Sequence, residues 1–282
     1  MSSKHFSIHL IRVVLLISIL VATLFLRVPT VYAIEWDDEN RPAVGVAGIG
    51  DYNHDGDYND TGDLPRVVVD SAVAFYDKLV SDSAYCRYPA SWDCFCSEDD
   101  DAHEKHFKEY SYGGLDTYWA DDIDICWWQG HSAIPDTHEA LAFCLGSQDD
   151  RFLEHSDAKW GDYDLEWMLI HSCSILADDN LDAWGQAFNG LHLMCGAQTV
   201  MYAANDGHRV ANYYVSDHSW DYPWTVKYGW FFGVDCGQPS GVILCILGES
   251  PECGNDYIWR QGTVCDDPPV DGTKYMWNWY CI

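Results

Sequence analysis

Cys173 and His131 are the residues of this chain best placed for covalent chemistry. Each closes a short hydrophobic run: IDICWWQGHS carries His131, and LEWMLIHSCS carries Cys173. A thiol attacks as its thiolate, and a neighbouring imidazole is the commonest means of supplying that form near neutral pH. In a parallel sheet the carboxyl ends of adjacent strands open into one crevice, so side chains distant in sequence can meet there. His171, two residues before Cys173, projects to the same face of a strand and offers a second imidazole. Ser172 and Ser174 lack the glycine-flanked elbow of serine hydrolases and are poor nucleophiles. Two other readings of the pair stay open. Cys173 can be one half of a disulfide, and His131, His138, His155 and His171 can contribute to a His/Cys zinc site, although their spacings match no recurring ligand pattern.

A second chemical signal is the loop Asp51-Tyr-Asn53-His-Asp55-Gly56-Asp57-Tyr-Asn59-Asp60. Oxygen ligands at alternate positions around a glycine at the sixth are what a tight calcium turn requires, which makes Asp51, Asn53, Asp55, Asp57 and Asn59 candidate ligands. The twelfth position is Gly62, where an EF-hand has glutamate, and Asp63 is expected to cap the following helix. The loop therefore resembles calcium-binding turns of exported proteins without being an EF-hand, and a solvated acidic turn is the alternative.

The elements that must position these residues alternate between strand and helix, as in an α/β domain with a largely parallel sheet. Strands are expected at residues 42–49, 123–128, 167–170, 193–202 and 242–247. Helices are expected from Asp63 onward with Val68, Ala72, Phe75 and Leu79 on the buried stripe, over 181–191, and over 225–232. Residues 84–108 read as a cysteine-bearing insertion, and 249–282 as a cysteine-rich C-terminal extension packed on the same domain.

Lys4 and Arg12, the apolar run Val13–Leu26 and the small residues up to Ala33 read as a secretory signal peptide over residues 1–33, too short to span a bilayer; an uncleaved anchor is the competing reading. The expected location is secreted or cell-surface. The 15 Lys+Arg against 45 Asp+Glu repel phosphate backbones and argue against nucleic acid as a partner. Twelve cysteines in an exported chain imply disulfides, with Cys126, inside an apolar strand, the candidate for a second free thiol beside Cys173.

Taken together, GGLDTYWADDIDICWWQGHS, WGDYDLEWMLIHSCSIL and WGQAFNGLHLMCGAQTV resemble the caspase-like, clan CD superfamily of cysteine peptidases, and more closely an uncharacterised family of exported bacterial and archaeal proteins with that fold. The resemblance runs from Pro42 to about Leu247. It implies a caspase-like three-layer α/β/α domain over 34–248, with Cys173 as nucleophile and His131 as the acid that protonates the leaving amine. The oxyanion would face the backbone N–H groups of Cys173 and of the residue after the histidine. That residue is Ser132, where the superfamily usually has glycine, and a side chain there disfavours a left-handed backbone.

The sequence thus points to an exported cysteine peptidase that acts on peptide or protein substrates through a thioester and needs no cofactor for catalysis. The alternative is a catalytically silent, calcium-stabilised extracellular binding protein of the same fold. An amidase or transpeptidase would share the dyad and differ in acceptor.

Overall fold

The computed structural model describes residues 43–82, 94–215, 222–270 and 272–282, all within the compact unit Asp37–Ile282. The expected signal peptide lies outside the described residues, as does the first part of the 84–108 stretch, up to residue 93. Among the described residues no helix is long and apolar enough to cross a membrane.

Four apolar segments without polar alternation, covered on both faces, and one half-exposed edge segment build the parallel part of the sheet. They are β1 (Val44–Gly48), β2 (Phe95–Glu98), β3 (Ile125–Gln129), β7 (Trp167–His171) and β8 (Leu193–Ala197). β9 (Ile243–Gly248) and β10 (Tyr275–Tyr280) extend it antiparallel, in the order β10-β9-β8-β7-β3-β1-β2. Three short strands, β4 (Ser132–Ala133), β5 (Ala140–Ala142) and β6 (Phe152–Leu153), form a separate antiparallel sheet just past β3.

One face of the main sheet is covered by helices α1 (Val67–Asp82), α3 (Gly207–Val215) and α4 (Val226–Asp235), with Phe75, Tyr214 and Trp230 packed on Val46, Trp127 and Leu169. On the other, Trp128, Met168 and Met194 meet Trp160, Trp184, Phe107 and Phe143, supplied by the short helix α2 (Leu181–Trp184), single 3₁₀ turns and the small sheet. The architecture is three-layer α/β/α, as expected, with one regular and one irregular outer layer.

Several expectations change. The helix expected over 181–191 stops at Trp184, passes through a 3₁₀ turn and is extended by Phe188; Gly185 and the left-handed Gly190 break the apolar period there. The stretch 84–108 is less an insertion than the source of β2, which pairs parallel with β1 at the sheet edge. The C-terminal extension likewise contributes an edge strand, β10. Asp63 does not cap α1, which begins at Val67; its carboxylate turns back to accept from the Tyr52 N–H at 2.8 Å and from Asn53 Nδ2. Among the described cysteines Cys94 is disulfide-bonded, and the other ten are not joined in the structure. Cys126, Cys195 and Cys245 lie within sheet strands with no exposed surface, where they pack as small hydrophobes.

Burial raises Glu104 and Asp116 to about 8, and Asp121 well above the ordinary carboxylate range. Each holds a proton in the folded state at a pH where the unfolded chain has released it, so stability falls as pH rises toward 8. Burial acts oppositely on His106, lowered to about 4, which weakens the fold as pH drops below the ordinary histidine value of 6.5. With three raised carboxyl groups against one lowered imidazole, the melting temperature is therefore expected to rise as pH is lowered from about 8, and to go on rising less steeply below 6.5 until the ordinary carboxylate range is reached. A flat profile by calorimetry over that window would contradict these assignments.

Candidate functional site

β3 and β7 are adjacent, parallel and in register, with Gln129 opposite His171. His131 and Cys173 each follow their strand by two residues, so equal offsets from paired strand ends carry both to the carboxyl end of the sheet on neighbouring strands. Both line one cavity of about 230 Å³, whose walls also include Leu64, Val68, His171 and Met201. The two loops are tied directly: Ser172 Oγ donates to Gly130 O at 3.0 Å, and Ser132 Oγ donates to Cys173 O at 2.7 Å.

His131 is fixed from the β1 side. Its backbone N–H donates to Tyr52 Oη at 2.5 Å, the two rings lie 5.2 Å apart, and the imidazole hydrogen-bonds the backbone of Gly62. Gly130 must be glycine, because a Cβ there would stand 2.7 Å from that same Tyr52 oxygen. Burial lowers the His131 pKa below the ordinary value, with the Gly62 bond and the Asp63 charge opposing. The half-buried Cys173 thiol contacts Met201 O at 3.5 Å, and burial raises its pKa, with the Glu139 charge acting in the same direction. The resting pair is thus neutral imidazole beside neutral thiol rather than an ion pair.

The residue after the nucleophile position carries backbone strain. Ser174 has φ of 49°, a left-handed conformation held by its N–H donating to Thr199 O and its carbonyl accepting from Asn180 Nδ2. Ser132, by contrast, needs no left-handed backbone: it lies in β4, and the left-handed non-glycine residues do not include it. Ala142 N donates to His131 O, which makes residues 131 and 142 a hydrogen-bonded pair. Antiparallel pairs alternate, so the next pair, Ser132 and Leu141, is not hydrogen-bonded and the Ser132 N–H points away from β5. The serine side chain therefore leaves that amide available and braces the Cys173 loop as well.

His171 lines the cavity wall, but its Nε2 is engaged by Asp206 at 2.8 Å. Asp206, with no exposed surface, also accepts from Gln238 Nε2 at 2.9 Å and from Arg209. Asp206 and Glu139 were not evident as site residues, since Asp206 comes from the turn before α3 and Glu139 from the turn before β5. His138 and His155 stack edge-on at 5.1 Å, with His138 Nδ1 3.3 Å from Asn180 Oδ1, and do not join His131 or His171 in a metal cluster.

The acidic loop 51–63 follows β1 and reaches this site through Tyr52 and Gly62. Its side chains fold it on itself: Asp51 accepts from the N–H groups of His54 and Gly56, Asn53 from Asp55, Asp55 from Asp57, and Asp57 from Asn59. Gly56 supplies the left-handed turn at φ 80°. Charge crowding is visible at Asp60, whose pKa is raised chiefly by Asp55.

The family model for the domain of unknown function DUF6345 matches residues 47–281, which takes in the end of β1, every later strand, the cavity and both loops. The chain belongs to that family. No curated protein and no solved structure matches it.

Proposed function

We propose that this DUF6345 member is an exported, caspase-like cysteine peptidase with Cys173 as nucleophile and His131 as proton carrier. The observation that carries the reading is the in-register pair of strands β3 and β7, which delivers His131 and Cys173 to one cavity. In the first step Cys173 Sγ bonds to the scissile carbonyl carbon while its proton passes to His131, directly or through one water. The carbonyl oxygen becomes an oxyanion, for which the N–H groups of Ser132 and Cys173 are the proposed donors. Collapse breaks the C–N bond, His131 returns the proton to the departing amine, and a thioester remains. Water, deprotonated by His131, then attacks the thioester; acid is released and the thiol restored.

Among the described residues the cavity wall carries no carboxylate. A neutral or apolar side chain beside the cleaved bond therefore fits it. The deciding experiment is cleavage of a mixed peptide library by the secreted protein. Turnover lost in both Cys173→Ala and His131→Ala supports the reading, and full activity in either rejects it.

The pH dependence follows from the two shifted groups. The value of kcat/KM is expected to rise from acid pH through a pKa below 6.5, set by His131, and to hold until beyond the ordinary thiol value of 9.0, set by Cys173. An acid limb above 6.5 in the initial-rate profile would show that another group governs the reaction.

One observation favours a second reading, a silent binding protein of the same fold: the Cys173 thiol is less acidic than an ordinary cysteine. A peptidase accommodates this if the thiol ionises as it attacks, and a binder needs no ionisation at all. Library cleavage separates the two.

Calcium in the loop formed by Asp51, Asn53, Asp55, Asp57 and Asn59 belongs to the same proposal, as a stabilising ligand. It would relieve the crowding that raises Asp60, and a ligand at 100 times its dissociation constant adds about 2.7 kcal/mol to the folded state. Melting temperature is expected to rise with millimolar calcium and to fall on chelation, and Asp55→Ala to abolish the rise. Because Gly62 and Tyr52 hold His131, a change of turnover with calcium at constant stability would make the loop regulatory instead.

A further inference from the structure

We infer that His192, Cys253, Asp256 and Cys265 form a structural site for a tetrahedral divalent metal of the zinc class. Their four donor atoms lie within 4.8 Å of one another in a largely buried cluster. Four of the six edges are Cys253 Sγ to Cys265 Sγ 3.0 Å, His192 Nδ1 to Asp256 Oδ2 2.8 Å, Cys265 Sγ to His192 Nδ1 3.5 Å, and Cys265 Sγ to Asp256 Oδ2 3.7 Å. An ion bound at about 2.3 Å to sulfur and about 2.0–2.1 Å to nitrogen and oxygen separates its tetrahedral ligands by about 3.3–3.8 Å. The two mixed edges fit that range as they stand, and the other two need to open by less than about 1 Å.

The donor set is two thiols, one imidazole and one carboxylate. It combines borderline-soft ligands of the kind zinc takes, with no position left for a substrate. The groups around it are those that orient ligands. Asp256 Oδ1 accepts from the Cys265 N–H at 2.9 Å, and His192 presents its outer nitrogen, Nε2, to the Asp267 carboxylate at 3.5 Å. A Cys253–Cys265 disulfide would account for the two sulfurs alone. It would leave unexplained why a buried imidazole and a buried carboxylate converge on the same point.

The location gives the metal a task. His192 directly precedes β8, at the opposite edge of the parallel strands from His131 and Cys173. The other three ligands come from the connection between β9 and β10, residues 249–274, which among its described residues includes the 3₁₀ segment Cys253–Asn255. Such a long connection has little hydrogen-bonded structure of its own, yet Cys253, Asp256 and Ile258 are buried. An ion would pin it to the sheet as a staple.

The test uses the full secreted chain, purified without reductant or chelator. Elemental analysis is expected to find about one zinc per chain. Replacement by cobalt(II) should give the sulfur-to-metal charge-transfer and visible bands of tetrahedral thiolate coordination, and chelation should lower the melting temperature. Cys265→Ser should lose the metal. Should that variant fail to fold, Asp256→Asn and the wild-type chelation series carry the same information. Peptide mapping that finds Cys253 disulfide-bonded to Cys265, or a metal-free protein whose melting temperature ignores both zinc and chelator, overturns the inference.

Discussion

Replacing Cys173 with alanine is expected to lower peptide-cleaving turnover by at least about 10⁴-fold, since no other group in the cavity can form the acyl intermediate. Ser172 cannot substitute: its hydroxyl is buried and donates to Gly130 O. Ser132 is likewise committed, to Cys173 O. The fold should survive, because the exchange removes one sulfur atom from a half-buried position where the thiol makes a weak contact to Met201 O, and it leaves the backbone bond from Ser132 in place. Turnover measured alongside the melting temperature separates the two effects. A loss of rate that merely followed a loss of folded protein would leave Cys173 a structural cysteine.

Asp206→Ala is expected to produce the largest loss of stability at the site, about 3–5 kcal/mol. The carboxylate is fully enclosed and is shared by His171, Gln238 and Arg209. Its removal strands the His171 imidazole beside Trp127 and leaves the Arg209 guanidinium without its buried partner. For a domain of this size the melting temperature should fall by about 6–20 °C. Because His171 ends β7 two residues before Cys173, the surviving folded protein should also show reduced turnover. A loss under about 1 kcal/mol by denaturant titration would mean that water replaces the carboxylate and that the network carries little.

The parallel sheet could be read from the chain because β1, β3, β7 and β8 are apolar on both faces, and because glycine or a polar residue ends each run. The same feature exposed His131 and Cys173, the first reactive side chains past two such runs. Their meeting in one cavity depended on register, and here Gln129 and His171 are paired residues, so equal offsets sufficed.

What the sequence concealed has physical causes. β4, β5 and β6 are two or three residues long, below the length at which alternation can be recognised. α3 opens on Gly207 and carries Asn212 among its apolar residues, and it is helical through packing on α1 and α4 rather than through propensity. β10 has aromatic side chains on an exposed edge, where alternation between core and solvent is weak. The expected role of Asp63 failed because its carboxylate had a better use inside the acidic loop. The His192, Cys253, Asp256 and Cys265 cluster left no local spacing signal, since β8, α3, α4 and β9 separate its first ligand from the other three.

The most direct test of the central claim is intact-mass and peptide-mapping analysis after incubation with peptides bearing a mild thiol-directed electrophile near neutral pH. Cys173 is the half-buried thiol in the cavity, whereas Cys126, Cys195 and Cys245 are sealed in the sheet. The account predicts that the adduct on Cys173 forms far faster with a peptide attached to the electrophile than without one, whereas the exposed Cys96 and Cys236 react at a rate indifferent to the peptide. It also predicts that His131→Ala suppresses that acceleration. Labelling of other cysteines instead, or labelling of Cys173 at a rate indifferent to both the peptide and His131, would contradict it.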